Sequence, residues 1–157
     1  MRNDILIFGK NSVLSKSFVS NCDFKTNNII FFTRKGLKKD INCNLGELIS
    51  SEEIFKITAK LKLLQKSNKK VMILFSWSGG PRNLNSIENT WSTNINITLN
   101  FIEFCKKIKP SKIIFLSSAG TLYPQNNDYK YKECDEIDLR NSYGKQKFIA
   151  EQLLINF

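Results

Sequence analysis

Ile5-Leu6-Ile7-Phe8-Gly9-Lys10-Asn11-Ser12-Val13-Leu14-Ser15 decides how the rest of the chain is read. Four consecutive apolar residues run into a glycine, and small polar residues then lead into a segment with helical spacing. A run that is apolar on both faces suits a strand buried inside a parallel sheet. A glycine directly after it suits a tight turn that delivers the chain into a helix, whose N-terminal N–H groups favour an anion.

The same pattern recurs. Ile29 to Phe32, Val71 to Phe75 and Ile113 to Leu116 are further apolar runs, and a weaker strand is expected near Asp40 to Leu45. Helices are expected between them, over Ser12 to Ser20, Ser51 to Gln65, Ser86 to Lys107 and Ser142 to Ile155. In the second, Ile54, Ile57, Leu61 and Leu64 share a face behind a Ser51-Glu52-Glu53 start. In the third, Ile95, Leu99, Ile102 and Cys105 are spaced as a buried face, with Pro110 beyond the end. In the fourth, that face is Phe148, Ile149, Gln152 and Leu153. Strand alternating with helix predicts an α/β fold, a Rossmann-like doubly wound parallel sheet of about five strands. The polar stretch Pro124 to Arg140 reads as a surface loop, so residues 1–157 form one domain.

Composition narrows the function classes. With 157 residues, 41% of them hydrophobic, the chain can bury a core but cannot hold a second full domain. No apolar run approaches the roughly 18 residues of a membrane span, and the first run is too short for a signal peptide. A cytoplasmic protein without a membrane partner is expected. The net charge is +10, yet the basic residues are mostly Lys, dispersed among many Asn and Ile, with no basic tail. They read as solvated helix faces, and no nucleic-acid partner is expected. The four cysteines form no CxxC pair and there is no histidine, so no metal site is expected and histidine-dependent triads are excluded. Proton chemistry falls to Tyr, Lys, Ser, Thr or a carboxylate.

Ligands of open parallel sheets bind outside the carboxyl ends of the strands, and the unusual residues gather there. After the first strand, Gly9, Ser12, Val13 and Leu14 stand where a dinucleotide fold cradles pyrophosphate. Ser12 and Ser15 replace the second and third glycines. After the second, Thr33-Arg34-Lys35 holds no carboxylate for a ribose diol, and Arg34 suits a 2′-phosphate. Ser117-Ser118-Ala119-Gly120-Thr121-Leu122-Tyr123 follows the last run, and small hydroxyls there can polarise a substrate oxygen, or simply form a tight turn. Tyr143 and Lys147 lie one helical turn apart, and an ammonium beside a phenol lowers its pKa.

Taken together, these residues resemble the extended short-chain dehydrogenases/reductases, the NAD-dependent epimerase/dehydratase group of the UDP-glucose 4-epimerase type. The resemblance runs from Ile5 to Leu154 and is most specific at Ser117 to Tyr123 and Tyr143 to Lys147. Asn94-Ile95-Asn96-Ile97-Thr98 resembles the group's Asn-x-x-x-Thr helix. Cys43-Asn44-Leu45 stands where an Asp-Leu pair meets adenine, and Glu133 resembles an acidic residue of the loop before the Tyr helix. The resemblance implies Tyr143 as proton acceptor and donor at a sugar hydroxyl, Lys147 on the nicotinamide ribose, and Ser118 or Thr121 as hydroxyl partner. It places Asn44, Leu45 and Asn94 with Gly9, Ser12, Val13, Leu14, Arg34 and Lys147 around NAD or NADP, the latter slightly favoured by Arg34. It implies a nucleotide-sugar substrate, a place in polysaccharide synthesis, and a homodimer through helices 86–107 and 142–155.

The chain also departs from that pattern. Ser76-Trp77-Ser78-Gly79 replaces a small-residue segment, and Trp77 is large for a position beside a cofactor. Members of the group run to roughly twice this length. The expectation is therefore a sheet incomplete at its C-terminus, without the sugar-nucleotide lobe. The alternative to a shortened enzyme is a non-catalytic nucleotide-binding module, or a remnant that needs a partner chain.

Overall fold

A computed structural model describes residues 3–37, 40–80, 87–124, 129–139 and 141–157, with the backbone alone for 87–89. The elements are β1 (Asn3–Phe8), α1 (Val13–Ser20), β2 (Asn27–Thr33), β3 (Ile41–Asn42), α2 (Ser51–Leu64), β4 (Lys70–Leu74), α3 (Ile87–Ile108), β5 (Lys112–Phe115), α4 (Ala119–Leu122) and α5 (Ser142–Ile155). The strands form one sheet in the order β3-β2-β1-β4-β5, and every pair is parallel. From β1 the chain builds outward through β2 and β3, then crosses back to place β4 on the other side of β1. The reversal opens a crevice at the carboxyl ends of β1 and β4.

Alternation along β1 explains why the sheet is covered twice. Leu6 and Phe8 face one layer, with Ile30, Phe32, Met72 and Leu74 beside them and Phe101 and Phe104 of α3 above. Phe8 stacks on Phe32 at 4.0 Å and meets Phe101 edge-on at 4.9 Å. Ile5, Ile7 and Ile73 face the other layer, against Phe18 and Val19 of α1. The amino ends of the strands are closed by Asp4. Its fully buried carboxylate accepts hydrogen bonds from the Lys66 and Ser67 backbone N–H groups and from Asn28.

The expected strands and helices are present, with ends moved by a residue or two. Ser12 is a cap rather than a first turn, its hydroxyl accepting the Ser15 N–H, whereas α2 begins at Ser51 as expected, capped by Ser50. Gln65 lies just beyond α2. Ser118 to Tyr123, expected as loop or tight turn, holds the short helix α4. The core-facing side of α3 matches the expected one in part. Ile102 and Cys105 are buried as expected, joined by Ile97, Phe101, Phe104 and Ile108, while Leu99 is 38% exposed and Ile95 half-buried. Asn94, Thr98 and Asn100 are buried among them because each finds a partner, so polarity was a poor guide to direction here. On α5, Gln152 is exposed and Phe148, Ile149 and Leu153 are half-buried, whereas Gly144, Gln146, Lys147 and Ala150 are buried. The expected start at Ser86, the Lys38-Lys39 pair, and residues 81, 125–128 and 140 of the expected loops lie outside the described residues.

Candidate functional site

The crevice is built on a glycine that cannot be replaced cheaply. Gly9 has φ +107°, and a Cβ there would stand 2.5 Å from the Ser76 amide nitrogen. Both constraints come from one arrangement. The Phe8 carbonyl accepts the N–H groups of Phe75 and Ser76, pulling the end of β4 against the turn after β1. Gly9 N–H in turn reaches the Phe32 carbonyl. Ser12 then caps α1, its Oγ accepting the Ser15 N–H at 3.0 Å. Ser15 is fully buried, and its hydroxyl has no hydrogen-bond partner.

A cleft of about 270 Å³ lies over this turn. Gly9 to Ser12 floor it, and Arg34, Asn44 and Leu45 form one wall. Thr93 and Ile97 of α3 form another, and Ser76-Trp77-Ser78 closes the end. Of the residues expected at a cofactor, Gly9, Ser12, Arg34, Asn44 and Leu45 therefore gather in one place. Val13 and Leu14 do not line it, and their side chains are 81% and 56% exposed. Any role for them passes through backbone N–H groups. Lys10 was missed in the sequence. It lines the cleft and pairs at 2.5 Å with Asp40, which is buried at the start of β3. Asn44 Nδ2 donates to Glu47 at 2.7 Å.

Asn94 is buried and does not line the cleft. Its Oδ1 accepts the Ser78 N–H at 2.8 Å, and its Nδ2 donates to the Ser78 carbonyl and to Gln146 Oε1. One side chain thus clamps the loop after β4 to α3 and α5. Gln146 extends the network to Thr90 and Ser142, and Trp91 Nε1 also donates to Ser142 Oγ. Gln146 sits inside the Tyr143–Lys147 segment, and its amide, buried on a helix with half-exposed apolar neighbours, was the overlooked signal.

The second group of residues stands at the end of β5. Asn141 caps α5 by accepting the Gly144 N–H at 2.7 Å. A Cβ at Gly144 would lie 2.3 Å from the Thr121 carbonyl oxygen, so the glycine is what lets α5 close on α4. This brings Tyr143 next to the Ser118–Thr121 turn. The Thr121 hydroxyl is engaged locally, donating to the Ser118 carbonyl at 3.1 Å. Ser118 makes no capping bond with its side chain.

Lys147 is 5% exposed. Its Nζ donates to the Leu116 carbonyl at 2.8 Å and lies 4.0 Å from the centre of the Trp77 ring and 4.7 Å from that of Phe115. Burial draws its pKa down to about 8, and Glu151 opposes the shift. Its Nζ is 5.8 Å from the centre of the Tyr143 ring. The expectation that Lys147 lowers the Tyr143 pKa is corrected here. Burial pushes the phenol up, and the ammonium is engaged instead by a carbonyl and two other rings. The phenol therefore keeps its proton at neutral pH in this packing.

A parallel sheet with its crevice at the β1/β4 reversal, floored by a glycine turn under a helix N-terminus, defines a Rossmann-type α/β domain. The NAD dependent epimerase/dehydratase family matches residues 5–157, and the chain belongs to that family. A putative UDP-glucose 4-epimerase of Methanocaldococcus jannaschii is 33% identical over 73 residues, 45% of this chain and 24% of that protein. Two solved structures share the fold. The UDP-glucose 4-epimerase of Thermus thermophilus, in complex with NAD, superposes with a TM-score of 0.77 at 14% identity, over 98% of this chain and 50% of that one. The UDP-Glc/GlcNAc 4-epimerase of Campylobacter jejuni gives 0.74 at 20% identity, over 98% and 48%. The chain thus spans about half the length of these structures. No helix among the described residues is long and apolar enough to cross a membrane.

Proposed function

We propose that this chain is the nucleotide-binding half of a nucleotide-sugar epimerase/dehydratase, taking the adenylate end of NAD or NADP in the cleft above Gly9. The observation that carries the reading is the family match over residues 5–157 together with the Gly9 turn, which only a residue without a Cβ can form. The residues present fit one half of such a cofactor. The turn and the first N–H groups of α1 suit a pyrophosphate, with Lys10 supplying a cation beside them. Leu45 and Ile97 supply apolar walls for a base. Arg34 faces the same cleft and favours a 2′-phosphate, hence NADP over NAD; of the nearby acids, Asp40 is held by Lys10 and Glu47 by Asn44. The other half of the cofactor does not fit this packing, because Trp77 occupies the approach to Lys147.

Tyr143, Lys147 and Ser118, with Thr121 as the alternative hydroxyl, remain the proposed groups at a sugar hydroxyl. The reading includes a UDP- or dTDP-sugar substrate, a cytoplasmic place in polysaccharide synthesis, and a homodimer through α3 and α5. Leu99 on α3 and Ile155 on α5, 38% and 73% exposed, support the last. A second reading is favoured by the covered Lys147 and the raised Tyr143 pKa: a nucleotide-binding module without turnover of its own.

Incubation with UDP-glucose and NAD⁺ or NADP⁺, following conversion of the sugar nucleotide by chromatography, separates the two, because an epimerase or dehydratase returns its hydride and accumulates no reduced nicotinamide. The enzyme reading expects turnover that falls by about 10²-fold or more in Tyr143→Phe. Cofactor binding without turnover supports the module. Arg34→Ala is expected to weaken NADP⁺ by about tenfold and leave NAD⁺ nearly unchanged. Equal losses for both cofactors would contradict the 2′-phosphate assignment.

A further inference from the structure

Trp77 belongs to both halves of the site. It closes one end of the cleft, and its ring lies 4.0 Å from the Lys147 ammonium. None of Ser118, Thr121, Tyr143 and Lys147 lines the cleft, so the indole stands between the nucleotide floor and the Tyr143–Lys147 pair. Its backbone neighbour is fixed, because Asn94 holds both the N–H and the carbonyl of Ser78. Its side chain is less committed. Among the described residues the indole N–H is buried without a hydrogen-bond partner, and the ring's aromatic and cationic neighbours are Phe115 at 5.7 Å and Lys147. A buried indole usually finds an acceptor, and this one gives up no hydrogen bond by rotating.

We propose that Trp77 is a side-chain gate: in this packing the cleft takes an adenine nucleoside diphosphate, and a longer dinucleotide is admitted only when the indole leaves Lys147. The gate rests on the reading of the cleft as a nucleotide site. It follows from what lines the cleft: Arg34, the Gly9 turn and Trp77 do, whereas Lys147, 4.0 Å from the centre of the indole ring, does not. A diphosphate over the turn and a base beside Leu45 use what is open. Extending the ligand past Ser76 requires the space the indole occupies. Opening the gate loses the cation–π contact and exposes Lys147, and that loss weakens the dinucleotide alone. Lys147 is thereby kept from any sugar or cofactor until the gate moves.

The test is a calorimetric titration of the wild type, Trp77→Phe and Trp77→Ala with ADP and with NAD⁺. Each protein yields the ratio of its ADP and NAD⁺ dissociation constants, which cancels general losses of cleft quality. The gate predicts a ratio near one in the wild type, rising about tenfold or more in Trp77→Ala. Trp77→Phe keeps an aromatic ring on Lys147 and is expected to lie between them, which preserves the test if the alanine variant unfolds. ADP binding with the same ratio in wild type and variants overturns the gate and leaves the nucleotide reading standing. A wild type that already binds NAD⁺ at least tenfold tighter than ADP overturns it as well. No binding of ADP by any of the three overturns the gate and the nucleotide reading together.

Discussion

Ser15 occupies the last of three small-residue positions in the turn after β1, and it is the one whose cost can be read most directly. Its side chain is fully buried and its hydroxyl has no partner. Where a glycine allows a helix to pack closely on its strand, this serine still fits but leaves a desolvated oxygen. Ser15→Ala removes the oxygen and keeps the packing, and should stabilise the fold by about 1 kcal/mol. A shift of the urea midpoint to higher concentration checks this. Gly144 works in the opposite sense. Gly144→Ala forces a Cβ against the Thr121 carbonyl and should cost about 1–3 kcal/mol. An unchanged midpoint would show that α4 yields freely. The sequence exposed the serine substitution, because the turn has a known spacing. It hid the need for Gly144, which depends on how near α5 comes to α4.

Among the elements, strands were more legible than helix faces. Runs such as Leu6 to Phe8 are apolar on both sides, and only a buried parallel strand places such residues out of water. The α3 face was misread in part because Asn94, Thr98 and Asn100 look solvent-seeking yet are buried with partners on the backbone or on α5. The four-residue helix α4 is too short to show a period. The bond from Asn94 to Gln146 at 2.6 Å makes α3, α5 and the loop after β4 one unit. Asn94→Ala strips both Ser78 backbone groups of their partner, and a loss of about 2–4 kcal/mol is expected. A double-mutant cycle with Gln146→Ala should then give a coupling of about 1 kcal/mol or more. Strict additivity would mean that the two amides act separately.

For the whole molecule, stability and function meet at Lys147. The side chain is almost fully buried, and its pKa falls from the ordinary 10.5 to about 8. Between those values the unfolded chain holds the proton that the folded chain has released. This group's contribution therefore favours folding more as pH rises through that window. Below about 8 both states are protonated and the burial penalty stands in full, about 3 kcal/mol for a shift of this size. Lys147→Met should accordingly be the more stable protein at pH 7, by about 1–3 kcal/mol. Its margin should shrink as pH climbs from about 8 toward 10.5. Urea midpoints of both proteins across that range check it, because the other titrating groups are common to the two. A margin that grows with pH would contradict the assignment. The position of Lys147 on α5 was readable from the sequence. Its enclosure by Trp77, Phe115 and the Leu116 carbonyl was not, since two segments distant from α5 in the sequence create it.

The molecule is locked at the amino ends of its strands by Asp4 and open at their carboxyl ends, and the account places a nucleotide in that opening. The most direct measurement is a map of backbone amide shifts during titration with NAD⁺ by nuclear magnetic resonance. The account predicts perturbations at Gly9 to Ser12, Arg34, Asn44 to Gly46 and Ser76 to Ser78, with Asp4, Lys66 and Ser67 unmoved. Saturable shifts confined to other surfaces, or none at all, would contradict it.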